Sequence, residues 1–309
     1  MNANKADGEG GEQGSKRLRV LIIGCGYAGL PLGLELVRLG HEVHGLRRNA
    51  PEALRLAGIT PLQADVTRPE TLARLPGHFD WVINCAASGG GGAEEYRQLY
   101  LEGNRNLLAW LADAPPRKFV YTSSTSVYGQ NDGSVVTEES AVCPEAPTAR
   151  VLAETEELLF AAARNRFPAV ILRVAGIYGP GRGHAFKQFL RGEARLEGEG
   201  SRFMNMIHRD DLIGVIIRGL EMGRPGQIYN VADNEPVTQA TFYGWLAAEL
   251  KQPPPLQVAA NEENWRKRGV TDKRVSNAKL RTELGYQFKF PDFRAGYAAE
   301  IGRLGGMEG

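Results

Sequence analysis

The stretch Arg19-Val20-Leu21-Ile22-Ile23-Gly24-Cys25-Gly26-Tyr27-Ala28-Gly29 decides how the rest of the chain is read. Its first five residues are mostly β-branched or aliphatic with no polar alternation, the pattern of a strand buried on both faces, as in a parallel sheet. Glycines at G-x-G-x-x-G spacing follow at once. A helical stretch runs from about Ala28 to Leu39, with Leu30, Leu34 and Val37 on one stripe. Pro31 falls in its first turn, where a missing N–H costs little, and Gly40 is placed to end it. A second short strand over Val43–Leu46 completes a βαβ unit.

In that context each glycine has a mechanical meaning. Gly24 permits the tight turn, Gly26 lets the backbone approach a pyrophosphate, and Gly29 lets helix and sheet pack closely. The free N–H groups at the helix start, around Tyr27 and Ala28, then face the anion. A glycine turn selected only for packing would look the same in sequence. The end of the second strand carries the next signal. A site for NAD wants an Asp or Glu there to accept from the ribose hydroxyls; this chain has Arg47-Arg48. A guanidinium pairs with a 2′-phosphate through charge-assisted, often bidentate bonds, so NADP is expected over NAD. The alternative is two arginines that solvate a loop.

Outward from this unit the alternation continues. Short buried strands are expected over Thr60–Ala64, Trp81–Cys85, Phe119–Thr122 and Val170–Arg173, with helical stretches around 69–75, 94–112 and 151–164. Repeated βα units argue an α/β fold, a Rossmann-type doubly wound parallel sheet. After Gly179-Pro180-Gly181 the regularity loosens: 207–222 looks helical, Ile228–Val231 looks like a returning strand, and Pro253-Pro254-Pro255 marks a loop. The expected organisation is a disordered leader over 1–16, a dinucleotide-binding unit from 17–177 plus 207–232, and a small discontinuous substrate lobe from 178–206 plus 233–309.

Composition narrows the function class. Of 309 residues, 42% are hydrophobic and 24% charged, which is ordinary for a globular protein. Lys plus Arg number 37 and Asp plus Glu 36, a net charge of +1, so no global field draws the chain to nucleic acid or anionic lipid. Cys25, Cys85 and Cys143 are dispersed and odd in number, reading as reduced thiols of a cytoplasmic protein and not as a disulfide frame or metal site. No apolar run approaches the roughly 20 residues that span a bilayer.

The ordered motifs extend well past the glycines. Asp65-Val66-Thr67, Val82-Ile83-Asn84-Cys85-Ala86-Ala87, Thr122-Ser123-Ser124-Thr125-Ser126-Val127-Tyr128-Gly129, Leu172-Arg173-Val174-Ala175-Gly176-Ile177-Tyr178-Gly179-Pro180-Gly181, Ile207-His208-Arg209-Asp210-Asp211-Leu212 and Ile228-Tyr229-Asn230-Val231-Ala232 follow in sequence. Together they resemble the extended short-chain dehydrogenase/reductase superfamily, of the NAD-dependent epimerase/dehydratase type, over about residues 18–300. The resemblance implies that Asp65, with Val66, contacts the adenine, that Ala86 and Ala87 line the cofactor, and that Ser124 hydrogen-bonds the reacting substrate oxygen. It also places Arg173, Arg182 and His208 at or beside the substrate cleft, where arginine would bind a phosphate or carboxylate. The helices at 94–112 and 151–164 correspond to the surface through which that family forms homodimers.

The family's chemistry rests on a Tyr-x-x-x-Lys pair, because a tyrosine with a pKa near 10 is a poor general base until a lysine one turn away favours its phenolate. Aligned on Glu156, Thr148 stands where the tyrosine should be and Leu152 where the lysine should be. No tyrosine lies between Gly129 and Tyr178, and no lysine between Lys118 and Lys187. Tyr100 takes the place of the family's asparagine. This absence resembles the atypical YeeZ-like branch. The expected function is a nicotinamide-dinucleotide-dependent oxidoreductase or epimerase-like enzyme with an atypical active site. Its substrate would be small, polar or anionic, with sugar nucleotides included in the class. A catalytically silent cofactor sensor is the alternative. Beyond Ser124, the groups that could titrate or clamp an anion are Tyr128, His184 and Arg150, each of which also has a purely structural role open to it. The run Gly89-Gly90-Gly91-Gly92 reads either as a loop ordered by ligand over the nicotinamide end or as a linker.

Overall fold

The protein is described by a computed structural model over residues 16–49, 52–259 and 271–305. All but the last residue of the expected leader lies outside the described residues. The first half of the chain runs β1 (Arg19–Ile23), α1 (Gly29–Arg38), β2 (Glu42–Arg47), α2 (Glu52–Leu56), β3 (Thr60–Gln63), α3 (Pro69–Leu72) and β4 (Trp81–Asn84). Then come α4 (Ala93–Tyr96), a π-helical segment (Arg97–Glu102), α5 (Gly103–Trp110), β5 (Lys118–Ser124), β6 (Asn131–Val136), α6 (Pro147–Arg164) and β7 (Ala169–Val174). The second half carries β8 (Gly176–Tyr178), α7 (His184–Leu190), β9 (Arg195–Glu197), β10 (Phe203–Met204), β11 (Met206–His208), α8 (Arg209–Met222) and β12 (Ile228–Val231). It ends with β13 (Val237–Thr238), α9 (Gln239–Leu250), β14 (Leu256–Val258), β15 (Asp272–Val275), α10 (Ala278–Glu283) and α11 (Phe293–Gly305).

Seven strands pair in the order β12-β7-β5-β4-β1-β2-β3, all parallel. The chain therefore winds outward from β1 in both directions, and the crevice between β1 and β4 is the switch point at which such sheets bind ligands. Both faces are covered, which explains the lack of polar alternation. Leu21 and Ile23 belong to one apolar cluster with Val82, Phe119 and Leu159, whereas Val20 and Ile22 belong to another with Leu32, Val120 and Ile216.

The face of α1 differs from the expected stripe. Gly29, Leu32, Gly33 and Leu36 are buried, while Leu34 is 47% exposed. The two glycines set the rotation: a Cβ on Gly33 would stand 2.5 Å from the Ile59 Cδ1, so only the glycine edge can lie this close to the sheet.

The small lobe has its own aromatic core, in which the Tyr178 and Tyr297 rings stack at 4.3 Å with Phe186, Phe242 and Phe293 around them. The expected boundary needs one correction. Leu280, Leu284, Tyr286 and Phe288 pack with the sheet's second cluster and not with the lobe. The Asp211 carboxylate fixes this segment to the start of α8, accepting from the Tyr286 hydroxyl (2.8 Å) and the Lys289 and Phe290 N–H groups (2.7 and 2.9 Å). β15 likewise pairs with β6 of the larger unit.

Asp233 lies just past β12, its N–H donating to the Met206 carbonyl at 2.8 Å. Its Oδ1 accepts from the Glu235 N–H at 3.2 Å, but Oδ2 is buried without a hydrogen-bond partner among the described residues. Burial, reinforced by Asp292, Glu235 and Asp211, pushes its carboxyl well above the ordinary range. The native state therefore holds a proton that the unfolded chain releases near pH 4, and stability falls as pH rises from there through the native value. Asp233→Asn is expected to flatten that decline and to raise the melting temperature at pH 8. A steeper decline in thermal melts of the variant across pH 5–8 would contradict this assignment.

Candidate functional site

A cleft of about 1220 Å³ opens along the C-terminal ends of β1, β2, β3, β4, β5 and β7. Gly24, Gly26, Tyr27 and Ala28 line its centre, and Arg47, Arg48, Asp65 and Val66 line the β2–β3 side. Ala86, Ala87, Ser124, Ala175 and Arg182 complete it on the β4–β7 side. These are most of the residues singled out from sequence, brought to one surface.

The glycine turn behaves as three separate devices. Gly24 has φ +85°, and a Cβ there would meet the Ala86 backbone at 2.5 Å. On Gly29 it would meet the Gly24 carbonyl oxygen at 2.5 Å, so this glycine brings α1 down onto the turn. On Gly26 it would meet only the Gly24 oxygen, at 4.0 Å, and would otherwise project into open space. Gly26 is thus dispensable for packing and leaves bare backbone on the cleft, as a diphosphate cradle requires. Gly26→Val is expected to fold with stability within about 0.5 kcal/mol of the parent, yet to weaken dinucleotide binding by more than about 100-fold, near 2.8 kcal/mol. Thermal melts and calorimetry on one preparation check both halves; unchanged affinity would remove the cradle assignment.

At the β2–β3 edge Arg47 and Arg48 are exposed, with no carboxylate partner among the described residues. Asp65 Oδ1 accepts from the Thr67 N–H (3.0 Å) and hydroxyl (2.8 Å), which shapes the turn after β3. Across the switch point a chain of buried amides fixes the Ala86 turn. The Ala86 N–H donates to Asn84 Oδ1 (3.2 Å), the Asn84 amide donates to Asn104 Oδ1 (3.1 Å), and the Asn104 amide donates to the Tyr100 carbonyl (2.6 Å). Burial pushes the Cys25 thiol up to about 11 and the Cys85 thiol up to about 12, so neither serves as a nucleophile at neutral pH.

The helix expected over 94–112 is interrupted by the π-helical segment Arg97–Glu102. Its wider turn brings Gln98, Leu99 and Tyr100 onto the cleft, and the Tyr100 hydroxyl accepts from the Ser88 N–H at 3.1 Å. Glu94 and Glu95 of α4 also line the cleft, with the Ser88 hydroxyl donating to Glu95 Oε1 at 2.6 Å. Sequence reasoning missed Glu94, Glu95, Gln98 and Leu99, since a π-turn leaves no distinct hydrophobic period.

Ser124 closes β5, and its Oγ accepts from the Ser126 N–H at 3.2 Å. With one lone pair so engaged, the hydroxyl proton is free to be donated into the cleft. Thr148 is buried and does not line the cleft, whereas Leu152 does. Leu152, at the position where the resemblance expects a lysine, puts an apolar side chain on the cleft. Arg150 is exposed on α6 and donates to the Pro144 carbonyl at 3.2 Å, away from the cleft.

Two substrate-side expectations are corrected. Arg173 is 2% exposed and faces inward. Its guanidinium pairs with Glu156 (2.7 Å) and donates to the Tyr128 hydroxyl (2.8 Å), so its donors are turned away from any ligand in the cleft. His208 is fully buried: Nδ1 accepts from the Asp210 N–H at 3.2 Å and Nε2 lies 3.3 Å from Glu300 Oε1 of α11. It caps α8 and docks the last helix. Tyr128, whose hydroxyl donates to Asn230 Oδ1 at 2.8 Å, is likewise structural. Arg182 does reach the cleft, its guanidinium 4.9 Å over the Tyr27 ring, and His184 and Lys187 line the same wall.

With this geometry in view, the sequence profile of the NAD dependent epimerase/dehydratase family matches residues 20–232. The chain belongs to that family. Within it, the chain is 31% identical to protein YeeZ of Escherichia coli K12, over 89% of this chain and 97% of YeeZ. It is 27% identical to a 3-diazoavenalumate denitrifying reductase of a Streptomyces species, over 92% of this chain and 100% of that one. In fold it is similar to the dTDP-glucose 4,6-dehydratase DesIV of Streptomyces venezuelae, solved with NAD and TYD bound. The TM-score is 0.78 at 24% identity, covering 91% of this chain and 95% of DesIV. No described helix of this epimerase/dehydratase-family chain is long and apolar enough to cross a membrane.

Proposed function

We propose that the chain is an NADP-preferring oxidoreductase that exchanges hydride with a small, polar, anionic substrate without a tyrosine–lysine pair. The observation that carries this proposal is the cleft itself, with bare glycine backbone at its centre and, at both sides, arginines that have no carboxylate partner among the described residues. Gly24, Gly26, Tyr27, Ala28 and Gly29 would hold the diphosphate, Asp65 and Val66 the adenine, Arg47 and Arg48 the 2′-phosphate, and Ala86 and Ala87 the nicotinamide half. When bound, the nicotinamide supplies or takes up the hydride. Ser124 positions the reacting end of the substrate, and Arg182 binds the substrate's anionic group. The relative named as a reductase supports hydride delivery, and sugar nucleotides remain within the substrate class. The dispersed free thiols fit a cytoplasmic setting, and α4 to α6 supply the face for a homodimer.

One observation favours a second role. Leu152 in the cleft wall removes general acid–base help worth roughly 10²–10⁴ in rate, which suits a silent sensor of cofactor occupancy. Calorimetry with NADPH and NADH, followed by dihydronicotinamide absorbance with ketones, aldehydes, imines and sugar nucleotides, separates the two. Tighter binding of NADPH with its consumption is expected. Binding with no consumption across the panel would favour the sensor, and absence of binding would overturn both.

A further inference from the structure

The cleft that holds Ser124 and Leu152 carries exposed charges of both signs. Glu94 and Glu95 line it from the start of α4, a helix packed against α6, and Arg182 and Lys187 line it from the loop before α7 and from α7 itself. Glu95 accepts from Ser88 and Glu94 from the Gln98 amide (3.0 Å), both neutral donors. Among the described residues neither glutamate has a cationic partner, and neither Arg182 nor Lys187 has a carboxylate one. Arg97 of the π-helical segment is already paired with Glu154 of α6 at 2.8 Å. Unpaired charges of both signs lining one cleft are matched by a ligand bearing both signs.

The chemistry of the cleft restricts that ligand further. Reduction of a ketone leaves an alkoxide that needs a proton as it forms, and the residue that would relay it is absent from the Leu152 wall. Reduction of a C=N⁺ group needs none. A hydride adds to carbon, the π pair moves to nitrogen and cancels its positive charge, and a neutral amine results, while the reduced nicotinamide dinucleotide is oxidised. The carboxylates of Glu94 and Glu95 would favour the cationic acceptor over neutral carbonyl compounds on binding.

We propose that the substrate is a zwitterion, an iminium-type cation carrying a carboxylate, with Glu94 and Glu95 recognising the cation and Arg182 the carboxylate. This rests on the hydride-transfer function proposed above. The test uses NADPH with an N-methyl dihydroisoquinolinium bearing a carboxylate, and with the ketone of the same ring size bearing the same carboxylate but no cationic nitrogen. The iminium carboxylate is expected to have a kcat/KM at least about 100-fold higher, the scale of the proton relay that it does without. The double variant Glu94→Gln/Glu95→Gln is expected to raise KM for the iminium about tenfold or more and to lower the iminium-to-ketone ratio of kcat/KM by at least that factor. A ketone turned over as well as the iminium would overturn the zwitterion proposal and leave the oxidoreductase standing. Consumption of neither, with NADPH bound, would overturn both; an unaltered KM in the double variant would overturn the role of the two glutamates.

Discussion

The double replacement Arg47→Asp/Arg48→Ser is expected to weaken NADPH binding about 100-fold or more, while NADH binding stays constant or tightens a few-fold. The two guanidinium groups stand at the end of β2, exposed, on the rim of the cleft, and free of carboxylate partners among the described residues. A hydrogen bond to a charged group contributes about 1.5–3 kcal/mol, so losing two such contacts already removes about 3 kcal/mol or more of affinity. The carboxylate introduced in place of the Arg47 guanidinium repels a 2′-phosphate, and for NADH it restores the acceptor that ribose hydroxyls need. Both arginines lie on the surface, so the fold is expected to be unaffected, and melts of the unliganded protein provide that control. Calorimetric titrations with both dinucleotides decide the matter: a parallel loss for NADPH and NADH would mean that the arginines attract any dinucleotide by charge alone, and no change would assign them to solvent.

The parts of this molecule that were legible in sequence are those set by local backbone demands. β1 reads as buried on both faces because neither face is solvated, and Gly24 and Gly29 read as a turn and a helix contact because no Cβ fits at either position. Position in the fold was harder. Arg173 and His208 lie in motifs that reach the cleft, but side chains of successive strand residues point to opposite faces, and a motif match does not say which of them is turned inward. Burial of each depends on partners distant in the chain, Glu156 for one and Glu300 for the other. The same limitation hid the role of α10, whose place under the sheet depends on the bonds of Asp211 to residues 286–290. In sequence Glu94 and Glu95 stand only at the start of a helical stretch over 94–112; the structure interrupts that stretch with the π-helical segment and has both glutamates lining the cleft.

The largest stability effect is expected at the ion pair beneath Ser124. Arg173 and Glu156 are each 2% exposed, on β7 and α6 respectively, and their charges are compensated almost wholly by one another. Ser123 adds a 2.6 Å hydrogen bond to Glu156, and Tyr128 joins Arg173 to Asn230 of β12. Arg173→Ala leaves a carboxylate buried without its cation, at a cost of about 3–5 kcal/mol. That is a large share of the roughly 5–15 kcal/mol that separates a folded domain from its unfolded state, and a fall in melting temperature on the order of 10 °C is expected. Glu156→Leu alone should be similarly harmful. The double replacement Glu156→Leu/Arg173→Met removes both charges together and is expected to recover at least about 2 kcal/mol relative to either single change. Ser123 and Tyr128 keep that recovery incomplete, since each loses a hydrogen-bond partner. Additive losses in chemical denaturation of the three variants would show that the two charges are not coupled. Coupling of the expected size means that an arginine which its motif places in the substrate cleft instead fixes the strand end from which Ser124 faces that cleft.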